Sequence, residues 1–202
     1  NAEVHIILCA HPRGLGPISS EVKQSQKKSY RILRTFKPKL IGIEGVYIPH
    51  HYLRRFVKFQ YSIWKNLDYR SNLEMSLDGL RDYYEEQLDH FANLKYAVNM
   101  SGGRINAVGV EDRKLYIATE AIRSLVDLMP RSKNRTDLTR KLDKLNQERS
   151  GVMFAKMIEA IAASNTKTSA LPVGANHGID IAKFIDSSNL DCSFSFHNTV
   201  CA

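Results

Sequence analysis

Short, continuously apolar segments recur along the chain, and each of them ends in polar residues. Four such segments are typical of buried strands: residues 4–9, 40–44, 105–110 and 169–174. Continuous apolar character is expected when helices cover both faces of a sheet. A fifth segment, 191–196, alternates polar and apolar residues and predicts an edge strand.

Segments with helical spacing of apolar residues separate these strands. The first begins at the capping residues Ser19 or Ser20 and is stopped by Pro38. Further helices are predicted at about 117–128, at 136–163, and from 178 through 185. Because strands alternate with helices, we expect residues 1–202 to form a single α/β domain with a mainly parallel sheet flanked by helices.

Residues 49–100 interrupt this alternation. They carry most of the aromatic residues, and the clearest helical pattern within them runs from Ser76 to about Val98. The segment is too long for an ordinary connection, so we interpret it as a helical insertion or lid after the second strand. An insertion at the carboxyl end of a strand lies where ligands bind in such sheets.

Composition excludes several classes of protein. The hydrophobic fraction of 43% and charged fraction of 25% argue against wholesale disorder. No stretch approaches the roughly 18–20 apolar residues needed to cross a bilayer, and no secretion signal is visible. The three cysteines form no metal-binding spacing and predict buried, reduced thiols. We therefore expect a cytoplasmic protein without a membrane span.

The formal net charge of +8 raises the question of nucleic-acid binding. The basic residues are spread along predicted helices and alternate with acidic ones, as on solvated helix faces. No zinc finger, RNA-binding signature or basic ribbon with interleaved aromatic residues is present. The pattern favours solubility and attraction of anions over nucleic-acid recognition, which stays a third hypothesis based on charge alone.

Polar residues with catalytic or metal-binding capacity follow each of the four buried strands: His11, Glu44, the segment 111–113 and His177. Because the carboxyl ends of parallel strands meet at one edge of a sheet, we expect these residues to approach one another. Two imidazoles and a carboxylate can bind a divalent metal such as Zn, Mn or Co. They can equally form an acid/base set, in which Glu44 takes a proton from water and a histidine polarises the substrate.

Three further residues complete this hypothesis. Asp112 is expected to orient one member of the site, and Arg113 or Arg149 to hold an anionic part of the substrate. Each residue also has a purely structural interpretation: Asp112 and Arg113 could form a simple ion pair, and Arg149 could be a solvated helix charge. The occurrence of polar residues after all four strands favours the functional interpretation.

Five segments, in order, resemble the motifs of the TraB/Tiki/ChaN-like superfamily: residues 6–11, 41–44, 108–113, 148–149 and 172–179. In that superfamily the first strand ends in Gly-x-x-His, the second in Glu, and the last motif reads Val-Gly-Ala-Gly-His. Arg149 resembles an arginine that begins the helix before the last motif. This sequence has Leu8 in place of the first Gly and Asn176 in place of the second Gly of the last motif.

The superfamily includes pheromone-shutdown proteins, Tiki-type metalloproteases, erythromycin esterases and a haem-binding lipoprotein. The resemblance implies a hydrolase of the TraB/Tiki-like type that acts on a small molecule or a peptide, with His11, Glu44 and His177 as ligands of a divalent metal or as an acid/base set. The same resemblance leaves an alternative open, a non-catalytic module that binds a flat ligand such as haem against the aromatic insertion.

Overall fold

A five-stranded, all-parallel sheet forms the centre of the protein. The structure is a computed structural model, and it describes residues 1–10, 19–44, 96 and 106–200. The strands are β1 (Ala2–Cys9), β2 (Leu40–Ile43), β3 (Asn106–Gly109), β4 (Thr168–Gly174) and β5 (Cys192–Asn198). Their order across the sheet is β3-β2-β4-β1-β5. The predicted α/β fold is confirmed, and the last strand lies at an edge.

Helices cover both faces of this sheet. They are α1 (Ser20–Phe36), α2 (Arg113–Leu128), α3 (Lys133–Ser164) and α4 (Gly178–Asp186). Side chains of β1 alternate between the two faces, as in any strand. Ile7 of β1 packs in one buried cluster, which includes Leu33 of α1. Ile6 of β1 packs in the other cluster, which includes Met153 of α3. This two-sided burial explains the continuous apolar strands of the sequence.

The helix boundaries follow from capping residues. Ser19 accepts a hydrogen bond from the Val22 N–H, and α1 ends before Pro38, as predicted. The predicted starts of the next two helices, at 117 and 136, are too late. Asp112 caps α2 and Ser132 caps α3, so these helices begin at 113 and 133. The first two residues of α2 and the whole first turn of α3 are polar, so a pattern of apolar spacing does not detect where these helices begin.

The strand order places β4 between β1 and β2, so the first two strands of the chain do not pair with each other. Across the carboxyl edge, the segments that follow β3, β2, β4 and β1 are therefore neighbours in that order. Of the predicted insertion 49–100 the structure describes only Tyr96, a buried helical residue whose ring lies edge-on to Tyr30. Within the described ranges, none of the helices has both the length and the apolar character needed to span a membrane.

A pair of histidines joins the edge strand to its neighbour. Nδ1 of His5 on β1 lies 3.1 Å from Nε2 of His197 on β5, and the buried His5 ring stacks on Phe36 of α1. Nε2 of His5 lies 3.5 Å from a Glu3 carboxylate oxygen. Burial lowers the pKa of His5, although Glu3 opposes this shift, and burial likewise lowers the pKa of His197. Both rings are therefore suited to the neutral form.

Candidate functional site

Glu44 follows β2 directly and reaches across to the end of β4. Its Oε2 accepts a hydrogen bond of 2.7 Å from the main-chain N–H of Gly174, the last residue of β4. The side chain is 13% exposed, so it lies at the surface of the sheet edge rather than in the core. The main-chain contact fixes one carboxylate oxygen and leaves Oε1 facing the turn after β4.

His177 lies in that turn, a short 3-10 helix over Ala175–His177 between β4 and α4. The ring is buried, and its Nε2 lies 3.5 Å from Oε1 of Glu44. Its Nδ1 lies 2.8 Å from the hydroxyl of Ser150 on α3. The structure therefore brings together two residues that the sequence predicts in one site, Glu44 and His177.

A buried ion pair lies beside these two residues. Nε and Nη2 of Arg149 donate to one oxygen of Glu111, at 3.1 and 2.7 Å, and Nη2 also lies 3.9 Å from Oε1 of Glu44. The guanidinium is 5.2 Å from the ring centre of Tyr116, a cation–π distance. Lys156 donates to the main-chain oxygen of Glu111. Arg149 thus lies within ion-pair distance of two carboxylates and is itself buried.

Glu111 is fully buried, and its Oε1 has no hydrogen-bond partner in the described part of the chain. Burial raises the pKa of Glu111, and Arg149 acts against this shift through its charge and its hydrogen bonds. A buried carboxylate is costly unless it is paired. Arg149 is therefore the principal group that counteracts the effect of burial on the pKa of Glu111.

Two sequence-predicted residues have other positions, and a third is not among the described residues. Asp112 caps α2 by accepting hydrogen bonds from the N–H groups of Leu115 and Lys114, which hold the pKa of its carboxyl below the usual range. Arg113 is exposed in the first turn of α2. His11 lies outside the described residues, immediately after the short segment that leaves β1.

The sequence interpretation did not identify Ser150 or Asp180, and it named the segment 111–113 without selecting Glu111. A signal for Ser150 exists: it lies three residues before Met153 on α3, and so it shares the apolar side of that helix. Asp180 lies one helical turn after His177, with its Oδ2 3.5 Å from the Ser150 hydroxyl. Glu111 is the first residue past the buried Val110, so strand alternation alone does not show which of 111–113 turns inward.

Cys9 precedes the predicted site by two residues, but its thiol is not a nucleophile. Its Sγ lies 3.1 Å from the Ser29 hydroxyl, within a buried polar network that includes Ser25 and Thr199. Burial raises the pKa of the Cys9 thiol to about 12. The thiol is therefore protonated at neutral pH, in accord with the buried, reduced cysteine predicted from the sequence.

The distance between Glu44 and His177 is suitable for sharing a ligand. Bonds of about 2.0–2.1 Å to a tetrahedral zinc ion place two donor atoms roughly 3.3 Å apart, close to the 3.5 Å between Nε2 and Oε1. Among the described residues, no group of three His, Cys, Asp or Glu side chains is arranged to hold a metal. A metal here would need a third ligand from outside these ranges, and the nearby Arg149 would oppose its charge.

The described site is thus a cluster of charged and polar side chains at the carboxyl edge of three neighbouring strands, β3, β2 and β4. It presents one carboxylate and one imidazole to each other, with an ion pair behind them. Comparison of the chain with models of protein families, with curated proteins and with solved structures finds no match in any of the three.

Proposed function

We propose that this chain is a hydrolase of the TraB/Tiki-like type whose reacting pair is Glu44 and His177. The observation that carries this proposal is the 3.5 Å approach of His177 Nε2 to Glu44 Oε1 at the ends of two hydrogen-bonded parallel strands. Ligands of open parallel sheets bind at this edge. A carboxylate and an imidazole within reach of one water molecule are the elements of general acid–base catalysis.

The surroundings of Glu44 suit the role of a base. The Gly174 N–H binds Oε2 and so orients the carboxylate, while Oε1 faces His177. Arg149 lies 3.9 Å from Oε1, so that a positive charge stands close to this oxygen. In this proposal Glu44 accepts a proton from the attacking water and passes it to Nε2 of His177, which donates it to the leaving group.

A divalent ion such as Zn, Mn or Co fits the same pair. His177 Nε2 and Glu44 Oε1 would hold it, with His11 as the third ligand that the sequence predicts. When bound, such an ion would polarise a substrate carbonyl and lower the pKa of a water molecule. The proposal covers both versions of the site, because Glu44 and His177 are essential in each.

The substrate is proposed to be a small ester or a peptide. Arg149 is committed to Glu111 and buried, so it is a poor candidate for binding an anionic substrate group directly. Arg113 is exposed one residue after Asp112, and we retain it as the candidate for that contact. Asp112 acts in this proposal through the helix cap that holds the segment 111–113 in place.

The test begins with the metal content of the chain purified without chelator and then incubated with Zn, Mn or Co. His177→Ala and Glu44→Gln are compared with His197→Ala, a matched control whose ring contacts His5 and Phe36 instead. We expect metal binding in the wild type and the control and its loss in both site variants.

The same four proteins are then screened on ester and peptide substrates. Turnover that disappears in both site variants supports the proposal, with or without a bound metal. Metal affinity and turnover that are unchanged by His177→Ala would contradict it.

A further inference from the structure

Ser150 is a fully buried polar residue of α3 that contacts His177 on the side away from Glu44. Its hydroxyl lies 2.8 Å from the main-chain oxygen of Asn146, 2.8 Å from Nδ1 of His177 and 3.5 Å from Oδ2 of Asp180. Serine hydroxyls in helices often bind the carbonyl four residues earlier. Here the same hydroxyl also contacts an imidazole nitrogen, so the direction of its O–H bond bears on the tautomer of His177.

The hydrogen of the Ser150 hydroxyl can go to only one neighbour. The main-chain oxygen of Asn146 and the ionised carboxylate of Asp180 can only accept hydrogen bonds. Both therefore compete for the hydroxyl hydrogen. If Nδ1 of His177 donates in its own 2.8 Å contact with Ser150, the hydroxyl hydrogen is left for these two acceptors, whereas an accepting Nδ1 would be a third competitor for it.

We infer that Ser150 is a positioning residue that holds neutral His177 in the tautomer with hydrogen on Nδ1, so that the lone pair of Nε2 faces Glu44. In a neutral imidazole only one nitrogen carries hydrogen, and the partner of that nitrogen decides which one it is. The opposite tautomer would direct an Nε2–H at the Glu44 carboxylate and occupy the reacting atom. The inference concerns the residues of the proposed function and takes its significance from that function.

The arrangement resembles the general support of histidine ligands in proteins. A histidine that binds a metal through one nitrogen almost always donates its other N–H to an oxygen, which fixes the ring and its tautomer. With Nδ1–H directed at Ser150, Nε2 and Glu44 Oε1 are two acceptors that face each other at 3.5 Å. Two acceptors at this distance are satisfied by a shared proton, a water molecule or a cation, which is what a reacting site requires.

The test reads the tautomer directly, in the full chain with chelator present and no substrate. Long-range ¹H–¹⁵N correlation spectra at a pH where the ring is neutral distinguish protonated from unprotonated ring nitrogens, and His177→Ala assigns the signals. Ser150→Ala removes the hydroxyl, and Ser150→Thr restores one. Ser164→Ala is the matched control, because Ser164 makes the same bond to a carbonyl four residues earlier on the same helix.

We expect hydrogen on Nδ1 of His177 in the wild type, Ser150→Thr and Ser164→Ala, and a mixture or the opposite tautomer in Ser150→Ala. A wild-type signal for hydrogen on Nε2 would overturn the inference, and this reading does not depend on the folding of any variant. An unchanged tautomer in folded Ser150→Ala would also overturn it.

After removal of the chelator, zinc titration of the same proteins separates this inference from the proposed function. Loss of a ring-orienting partner typically costs 10–100-fold in metal affinity, and we expect roughly that loss in Ser150→Ala but not in Ser164→Ala. If the wild type shows hydrogen on Nδ1 but neither binds metal nor hydrolyses any substrate, the proposed function fails and the tautomer assignment stands. If the wild type binds zinc through His177 but shows hydrogen on Nε2 in the free protein, the tautomer assignment fails and the proposed function stands.

Discussion

Replacing Arg149 by Met is expected to destabilise the protein by about 3–5 kcal/mol, the cost of leaving one partner of a buried ion pair unpaired. Arg149 is 3% exposed, Glu111 is fully buried, and two hydrogen bonds of 3.1 and 2.7 Å join them. Met retains much of the volume, so the loss is electrostatic rather than a cavity. In the described structure Lys156 contacts only the main-chain oxygen of Glu111 and does not replace the guanidinium.

A double-mutant cycle with Glu111→Gln isolates the pair. Gln removes the charge that Arg149→Met would leave unpaired, so the double variant is expected to lose less than the sum of the single variants, by about 1–3 kcal/mol. The free energy of unfolding is measured by urea titration with far-ultraviolet circular dichroism. Arg123→Met is the matched control: Arg123 and Glu120 also lie 2.7 Å apart but are each 41% exposed, and exposed pairs contribute less than about 1 kcal/mol.

The pH dependence of the Arg149→Met variant provides a second reading. Burial already raises the pKa of Glu111, and Arg149 is the main group that lowers it, so the substitution raises it further. A raised pKa in the folded state means that stability is lost as the pH rises through that pKa. The penalty of Arg149→Met should therefore be larger at pH 7 than near pH 4.5. Additive single effects, or a penalty equal to that of Arg123→Met, would refute the reasoning.

Three further expectations concern residues away from the site. Burial lowers the pKa of His5 and His197 below 6.5, so the unfolding free energy should fall as the pH drops below about 6.5. His197→Asn should reduce that fall, and an equal pH dependence of the unfolding free energy in the wild type and the variant would contradict this. The Cys9 thiol should resist a thiol reagent in the native protein at pH 8 and react only after denaturation, and Cys9→Ser should remove this increment. Gly42→Ala should cost about 1–3 kcal/mol by overpacking, because its Cβ would lie 2.6 Å from Leu171 Cδ1; wild-type stability in thermal unfolding would be evidence against this.

The sequence predicts the strands well, because burial on both faces produces continuous apolar segments that no surface element shares. It does not predict the order of the strands. The pairing of β4 with β1 and with β2 depends on contacts between distant segments, and nothing local in residues 169–174 specifies them. The starts of α2 and α3 were predicted too late for the opposite reason, since their first turns depend on a local cap and bury little apolar surface.

For the site, the rule that parallel strands end at one edge predicts the meeting of Glu44 and His177, which the structure contains. The same rule cannot choose among 111–113, where a difference of one residue decides between a helix cap and a buried ion pair. Ser150 and Asp180 contribute through helix packing, which the apolar pattern indicates only in part. The metal, the haem-binding alternative and the aromatic insertion depend on residues outside the described ranges and stay predictions.

The position of β1 between β4 and β5 has a consequence for how the chain folds. Both neighbours of β1 come from the last part of the chain: Ser169 bonds to Glu3 across 166 positions, and Ser193 contacts Ala2 across 191. Contacts between such distant segments slow folding, because the entropy cost of closing the long loop comes before the contacts can stabilise the sheet. During synthesis β1 and β2 therefore emerge with exposed apolar faces and must wait for β4. The Glu44–His177 pair forms only when that strand inserts, so the candidate site is completed late in folding.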